Sequence, residues 1–479
     1  MDWKGFSWIA ACVAAAGLLA CGGPKAPAGP PHIVFILADD MGYGDVRANN
    51  PGSRIPTPHI DRIAAEGLRF TDAHAPAAWC VPSRYGLLTG RYPVRSALRW
   101  REEAVIEPGT ETLATMLRRQ GYATAMVGKW HLGFDGGPDY DFTRPMTGGP
   151  LDHGFDSYFG IPASLDIPPY YYIRDRAPEA PPTERVAASG SDGWSPIQGA
   201  FWREGGVAPG FKHVEVLPRF TAEAVSLIER HAGADKPLFL YMALPAPHTP
   251  WLPTGEFAGK SEVGMYGDFM MQVDDTVGQI LNALDRAGMA ENALVIFASD
   301  NGPVWYDTDV DRFGHDAAGG LRGMKADSWE AGHRVPFLAR WPGRIQPGGV
   351  STQLLCFTDM MATLAAATGA TPESAADSVN LWPAFTGEDG GAPIRDHLLI
   401  KEAATVMRQG DWKLITHLGS GGFSEPRRVE PADGGPRGQL YNLAEDLGET
   451  NNLWLERPDV VARLSGLLEG YQTKAESAP

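Results

Sequence analysis

Several short clusters in this sequence hold residues that could do chemistry together. Asp39-Asp40 and Asp300-Asn301 supply three carboxylates and one amide oxygen. That hard, oxygen-rich set suits calcium or magnesium and suits zinc poorly. Gly128-Lys129-Trp130-His131 places a cation two residues from an imidazole, and His248-Thr249-Pro250 offers a second imidazole. Of four cysteines, Cys12 and Cys21 fall in an N-terminal export-like segment, which leaves Cys80 and Cys356 in the body. Two body cysteines give no disulfide framework, although a single bridge between them is compatible with the sequence. Cys356, in Leu354-Leu355-Cys356-Phe357, reads as a small buried hydrophobe. Cys80 needs another explanation.

The elements that must position these residues follow an α/β rhythm of short apolar runs alternating with amphipathic ones. Residues 33–38 (IVFILA) form a strand-length apolar run, as expected in a sheet covered on both faces. Further strands are expected at 123–127, 238–243 and 294–299. Thr57-Pro58 opens a helix that Gly67 closes, with Thr57 as cap. Another helix starts at Thr110, with Leu113, Met116 and Leu117 on one face and Gly121 as its stop. Phe269, Val273, Val277, Ile280 and Leu284 form the core stripe of a long helix. Asp39-Asp40, Lys129-His131, His248 and Asp300-Asn301 each follow one of these strands. Ligands in open α/β sheets bind outside the carboxyl ends of the strands. Singly, an Asp pair is a helix cap and a lone histidine is structural; four clusters at four strand ends point to one site.

The segment Cys80-Val81-Pro82-Ser83-Arg84, continued by Leu88-Thr89-Gly90-Arg91, resembles the C-x-P-S-R signature of the formylglycine-dependent sulfatases, arylsulfatase-like members of the alkaline-phosphatase superfamily. Its companions are present in order: Asp39-Asp40 before it, then GKWHLG at 128–133, His248-Thr249-Pro250, SDNG at 299–302 and Lys325 in GMKADSWEAGHRVP. The similarity continues into RQGDWKLI and LYNLAEDLGETNNL, and so runs from about Pro31 to the end. One departure is Ala331-Gly332, where the family carries a glycine pair.

The resemblance implies that a maturation enzyme oxidises Cys80 to formylglycine. The hydrated aldehyde is a geminal diol held against a cation that lowers the pKa of its attacking hydroxyl. One oxygen attacks sulfur and the ester alcohol leaves; deprotonating the second hydroxyl then expels sulfate. A serine could be sulfated but would have no easy way to release the product. By the same resemblance Asp39, Asp40, Asp300, Asn301 and residue 80 would hold calcium, with magnesium as the alternative. Arg84 would hold the aldehyde hydrate, and Lys129 and Lys325 would clamp sulfate oxygens. His131 is the candidate base, and His248, with Lys325, the candidate acid for the leaving oxygen. Ser164, in Gly160-Ile161-Pro162-Ala163-Ser164, resembles a substrate-contacting serine of some members of the family. His74, His153 and His315 have no role, and the setting of His153 reads as a structural turn.

Bulk properties frame this reading. With 479 residues, 43 % apolar and 21 % charged, the chain is an ordinary globular protein of two or three compact units. A net charge of −17 argues against nucleic-acid binding. It requires that positive charge for an anionic substrate be concentrated at one place. Residues 1–21 read as an export signal whose Leu18-Leu19-Ala20-Cys21 resembles a bacterial lipobox, with Cys21 as lipid anchor, and 22–30 as a tether. The expected location is periplasmic or outer-membrane-associated. The expected fold is a large mixed sheet between helices over 31–375, followed by a smaller α+β unit over 376–479 with a short antiparallel sheet. Residues 166–215, rich in Pro, Gly and aromatics, read as a wall or lid over the site, and 418–438 as a surface loop. The aromatics of 166–215 (Tyr170 to Tyr172, Trp194, Trp202) would either stack on the substrate, a sulfated carbohydrate or aryl sulfate, or anchor the loop. Two other readings compete with a sulfatase: a phosphate or phosphonate ester hydrolase on the same scaffold, and a binding protein that has lost the chemistry.

Overall fold

The computed structural model describes residues 29–137, 140–401 and 405–476. The export signal, the lipobox and most of the tether lie outside the described residues. The central strands are β1 (His32–Asp39), β2 (Leu68–Phe70), β3 (Ala123–Lys129), β4 (Ser157–Ile161), β5 (Leu238–Pro247), β6 (Ala293–Ser299) and β7 (Phe337–Arg340). They belong to a ten-stranded mixed sheet with β2-β7-β6-β1-β5-β3-β4 in its middle, extended at its two edges by short strands. β6, β1, β5, β3 and β4 run parallel, while β7 is antiparallel to both β6 and β2.

Two cores flank the sheet, and the alternation of strand side chains assigns residues to them. Ile33, Phe35 and Leu37 of β1 face α2 (Cys80–Thr89), α3 (Leu113–Arg119) and α6 (Met360–Thr368). Val34, Ile36 and Ala38 face α1 (Pro58–Ala65), α4 (Val216–Arg230) and α5 (Gly264–Arg286). Burying one large apolar side chain is worth about 1.5–3 kcal/mol, against about 1 kcal/mol for a helix cap. The apolar runs therefore set the strand register, and caps only trim the helix ends.

Caps are accordingly where the structure departs from expectation. Thr57 makes no side-chain cap; its Oγ1 accepts from the Arg47 amide instead. The amides of His59 and Ile60 donate to Asp274, on α5, at 3.0 and 2.8 Å. The helix expected from Thr110 starts at Leu113, because Thr112 accepts from the Thr115 amide and supplies the true cap. Cys80 and Cys356 are both free and buried.

The C-terminal unit is an antiparallel meander of β8 (His397–Lys401), β9 (Thr405–Gln409), β10 (Trp412–Ile415) and β11 (Gln439–Asn442), with α7 (Pro458–Glu476) on one face. Its other face packs on Trp329 and Leu354 of the main body. The stretch expected as a surface loop at 418–438 is partly buried: Ser420 is fully covered, and the Phe423 and Ser424 amides donate to Asp327 Oδ1 at 2.8 and 3.1 Å. In the long insertion Tyr170, Tyr171 and Tyr172 are buried, Trp194 packs on Trp251 and Phe313, and Trp202 stacks on His213. These aromatics anchor the insertion.

Gly128 shows how tightly the strand ends are fitted. Its φ is +123°, and a Cβ there would lie 1.8 Å from the Ala243 carbonyl oxygen of β5. At Gly121 φ is +96° but the space is open. We expect Gly128→Ala to cost more than 3 kcal/mol, through strain and strand displacement, and Gly121→Ala about 1 kcal/mol, through strain alone. Urea denaturation of the two variants checks the contrast.

Candidate active site

β1, β3, β5 and β6 end side by side, and each delivers polar residues at its carboxyl end. Consecutive strand residues point to opposite faces, so Asp39 and Asp40 could not ordinarily meet. Asp40 solves this by taking a left-handed φ of 66°, which turns its carboxylate to the same centre. His131 (φ 56°) and Ala326 (φ 72°), beside Lys325, are held the same way. Such a conformation costs a non-glycine residue about 1–2 kcal/mol, and its recurrence here marks a place where position outweighs local comfort.

Cys80 opens α2. Trp79 at the cap supplies no side-chain bond, and Pro82 falls in the first turn, where a missing N–H does no harm. Cys80 Sγ lies 3.4 Å from Asp39 Oδ1 and 3.6 Å from Lys325 Nζ. Arg84, one turn on, is fully buried. Its Nε and Nη2 donate to Asp300 Oδ2 at 3.0 and 2.8 Å, and its Nη1 to the Lys129 carbonyl at 3.1 Å. Nη2 also lies 3.3 Å from Asp39 Oδ2. The guanidinium thus clamps the carboxylates beneath Cys80. Lys129 Nζ donates to Asp39, and Lys325 Nζ reaches the two oxygens of Asp40 at 2.6 and 2.8 Å. Three buried carboxylates face three buried cations.

Asn301 Nδ2 donates to Asp40 Oδ1 at 2.7 Å and to the Gly302 carbonyl at 2.9 Å, which leaves Oδ1 buried without a partner. An orphaned amide oxygen beside three carboxylates fits a hard cation. Asp39, Asp40, Cys80 and His248 each present a ligand atom within 4.8 Å of the others. Gly302 is obligatory in this turn, since a Cβ would sit 1.7 Å from the Ala331 carbonyl oxygen. Ala331 itself is accommodated in the one-turn helix Glu330–His333, so the departure from a glycine pair leaves the site intact.

The electrostatics separate the roles. Burial alone would raise Asp39, but Lys129, helped by His248, Arg84 and Lys325, holds it well below the usual carboxylate range. Burial, then the charge of Asp39, pushes the Cys80 thiol up. As a plain cysteine it stays protonated and is a poor nucleophile. Burial, then the charge of Lys129, keeps His131 a neutral imidazole, with both ring nitrogens unpartnered. His131 packs edge-on against Trp100, 4.4 Å between centroids. His248 Nδ1 donates to the Thr249 carbonyl at 2.7 Å, leaving Nε2 3.6 Å from Asp40 Oδ2.

All the residues singled out in the sequence therefore converge. Asp40, Cys80, His131, Ser164, His248 and Lys325 line a cavity of about 700 Å³, while Asp39, Arg84, Lys129, Asp300 and Asn301 lie fully buried. The histidines without a role lie elsewhere: His74 with Asp72 and His333, His315 with Asp45, and His153 stacked on Trp130. The insertion expected as a wall over the site does line the cavity, through Asp166, Phe201 and Arg203, which sequence reasoning had not singled out; Trp79, Trp100 and Phe423 it missed altogether. Among these residues Asp166 carried a signal, two positions beyond Ser164 in the segment that follows β4.

Comparisons with known proteins agree with this geometry. The sulfatase family model matches residues 31–370. The chain is 35 % identical to an N-acetylgalactosamine-6-O-sulfatase of Bacteroides thetaiotaomicron, over 93 % of each chain. It is 38 % identical to human arylsulfatase A, over 91 % of this chain and 86 % of that protein. A solved structure from work on glycosaminoglycan metabolism by Bacteroides thetaiotaomicron superposes with a TM-score of 0.82 at 34 % identity, covering 93 % of this chain and all of the other.

Removing one cation from the balanced centre should expose its electrostatic cost. Lys129→Met leaves Asp39 without its closest counter-charge, and breaking such a pair costs about 3–5 kcal/mol. We expect a loss of that order in urea unfolding with a chelator present. The loss should shrink in excess divalent cation, which replaces the missing positive charge.

Proposed function

The chain belongs to the sulfatase family of sulfuric ester hydrolases, and from that premise we propose that it hydrolyses sulfate monoesters of carbohydrates with a formylglycine made from Cys80 and a bound calcium ion. The observation that carries the reading is Cys80 itself. It starts a helix at the base of the cavity, against Asp39 and Lys325, in a setting that keeps an unmodified thiol protonated. The hydrated aldehyde supplies two hydroxyl groups on one carbon, one for displacement at sulfur and one for release of the product. Asp39, Asp40, Asp300, Asn301 and residue 80 are the residues to hold calcium, with magnesium as the alternative, and the cation supplies Lewis acidity at the nucleophilic oxygen.

The remaining roles follow from what each side chain can still do. Lys325, at the cavity and beside Cys80, meets the sulfate oxygens, and Lys129 behind it holds Asp39 ionised and adds positive charge where the transition state gathers negative charge. His131, neutral and with both nitrogens free, accepts a proton at the base of the cavity. His248, oriented by the Thr249 carbonyl, presents Nε2 to protonate the leaving oxygen. Arg84 keeps Asp39 and Asp300 in register with α2. A sulfated sugar is supported by relatives named for N-acetylgalactosamine sulfate esters. We further propose export, with a maturation enzyme acting on the Cys80 segment and a lipid anchor at Cys21 that retains the protein in the periplasm or at the outer membrane.

The test is the mass of the tryptic peptide Phe70–Arg84 from protein made in a host that supplies the maturation enzyme. It should be lighter than the encoded peptide by the difference between a CH₂SH and a CHO group. Cys80→Ala should abolish turnover of aryl sulfate, and Cys80→Ser should stall after one turnover at most. An unmodified thiol in fully active protein would overturn the formylglycine reading.

A further inference from the structure

Asp166 has no part in the chemistry above, yet it is only 6 % exposed and lines the same cavity. One of its oxygens is engaged: Arg203 Nη1 donates to Oδ2. Arg203 also fastens the Asp166 carbonyl through Nη1 and its own backbone amide, at 3.1 and 3.2 Å. The other oxygen, Oδ1, is buried and has no hydrogen-bond partner. His248 Nδ1 stands 4.0 Å away, beyond hydrogen-bond reach, and is already satisfied by Thr249. Asp166 is therefore not holding the histidine. Ser164 Oγ, two residues earlier on the same wall, is also buried and unpartnered. Buried polar groups are ordinarily paired. Two orphans on one cavity wall, one of them a carboxylate clamped by a guanidinium, describe a place where a ligand brings the donor.

The rest of the wall identifies that ligand. Trp79, Trp100, Phe201 and Phe423 give the cavity apolar faces, and Trp79 stays 40 % exposed. Aromatic faces beside a fixed acceptor suit a pyranose, which offers C–H faces and O–H or N–H donors on one ring. An aryl alcohol would offer the face and no donor. Resting on the sulfatase reading, we infer that Asp166 is a specificity-determining residue that accepts a hydrogen bond from a ring hydroxyl or amide N–H neighbouring the sulfate ester, so that the alcohol leaving the enzyme is a sugar. A site built to hydrogen-bond a substrate donor discriminates strongly against analogues that lack it.

The experiment compares kcat/KM for a panel of sulfated monosaccharides, including 6-O-sulfated N-acetylhexosamines, with kcat/KM for 4-nitrophenyl sulfate. The enzymes are the matured wild type, Asp166→Asn and Asp166→Ala. Asp166→Ala should lose about 10- to 100-fold on the preferred sugar sulfate and stay within about threefold of wild type on the aryl sulfate. Asp166→Asn, which keeps an acceptor oxygen, should fall between. Equal losses on both substrates, or no loss on the sugar, overturn the assignment. So does a shifted pH profile for aryl sulfate hydrolysis by Asp166→Asn, which would place Asp166 in the service of His248. A measurement on the wild type alone covers variants that do not fold: deoxy analogues of the preferred sugar sulfate, each lacking one neighbouring donor, should include one poorer by about 10- to 100-fold, and uniform rates across them overturn the inference. A wild type active on aryl sulfate and on no sugar sulfate overturns this inference together with the carbohydrate substrate proposed above, and leaves the formylglycine sulfatase chemistry standing. A wild type with formylglycine at position 80 and no sulfatase activity at all removes the reading on which it rests.

Discussion

Asp39, Asp40 and Asp300 are buried together at the ends of β1 and β6, and this concentration of negative charge is what the surrounding structure must answer. Carboxylates out of water are costly unless paired and hydrogen-bonded. Here Lys129, Arg84 and Lys325 answer them from three different segments, the end of β3, the first turns of α2 and the loop after β6. Each cation is fixed by something other than its charge. Arg84 is tied to the Lys129 carbonyl, and the Lys325 amide donates to the Pro303 carbonyl at 2.8 Å. The parallel register then carries the load: Leu37 pairs with both Ala243 and Ala298, so three strands end at one height. A slip of one residue would turn every inward side chain outward and would separate the carboxylates from their partners.

The C-terminal unit serves the same centre through a second buried charge network. Lys413 of β10 is fully buried and lies 3.0 Å from Glu330 and 2.8 Å from Glu449. Arg408 of β9 binds Asp72, which also receives His74 and Arg334. Glu330 opens the one-turn helix whose Ala331 carbonyl crowds Gly302, directly after Asn301. The 420–424 segment brackets the residues after Lys325, with the Ser328 amide on the Ser420 carbonyl and Phe423 and Ser424 on Asp327. The small sheet is thus a clamp that keeps the Lys325 turn and the Asn301 turn in place while adding Phe423 to the cavity wall.

What was legible in the sequence follows from the range of the forces involved. Residues 33–38 and 294–299 read as buried strands because apolar runs of that length suit a sheet covered on both faces. The polar pairs at their ends then fell into one site by topology. The resemblance to the sulfatases supplied the rest of the floor, Cys80 and Arg84 on α2 and Lys325 in a loop, which no strand end marks. Tertiary partners were not legible. Thr57 looks like a cap, but Asp274, more than two hundred residues away, takes the helix amides. The apolar content of Tyr170-Tyr171-Tyr172 served equally for a binding face or an anchor, and only packing decided for the anchor. Asp166 is the sharpest case: whether a carboxylate is spent or available depends on which of its oxygens Arg203 reaches, and no local pattern records that.

Floor and wall are consequently built by different rules. The floor residues are fully buried, mutually paired and supplied by strand ends, so each is constrained by several others at once. The wall comes from the Trp100 loop, the 166–203 insertion and the 420–424 segment, which are joined to the body by anchors such as the Trp251 amide on the Gly199 carbonyl at 2.8 Å and Gln198 Nε2 on the Val304 carbonyl at 3.1 Å. Changing the wall costs the fold little, whereas changing the floor breaks a charge balance. This separation fits a molecule with a net charge of −17 that handles an anionic ester: the floor's positive charge is paired with its carboxylates and reaches the cavity at Lys325, while the wall carries aromatic faces, the cations Arg101, Arg203 and Lys401, and the unspent Asp166 oxygen. The charge-balanced floor and the hydrogen-bonding wall can therefore vary independently, which lets one sulfatase floor serve walls of different chemistry.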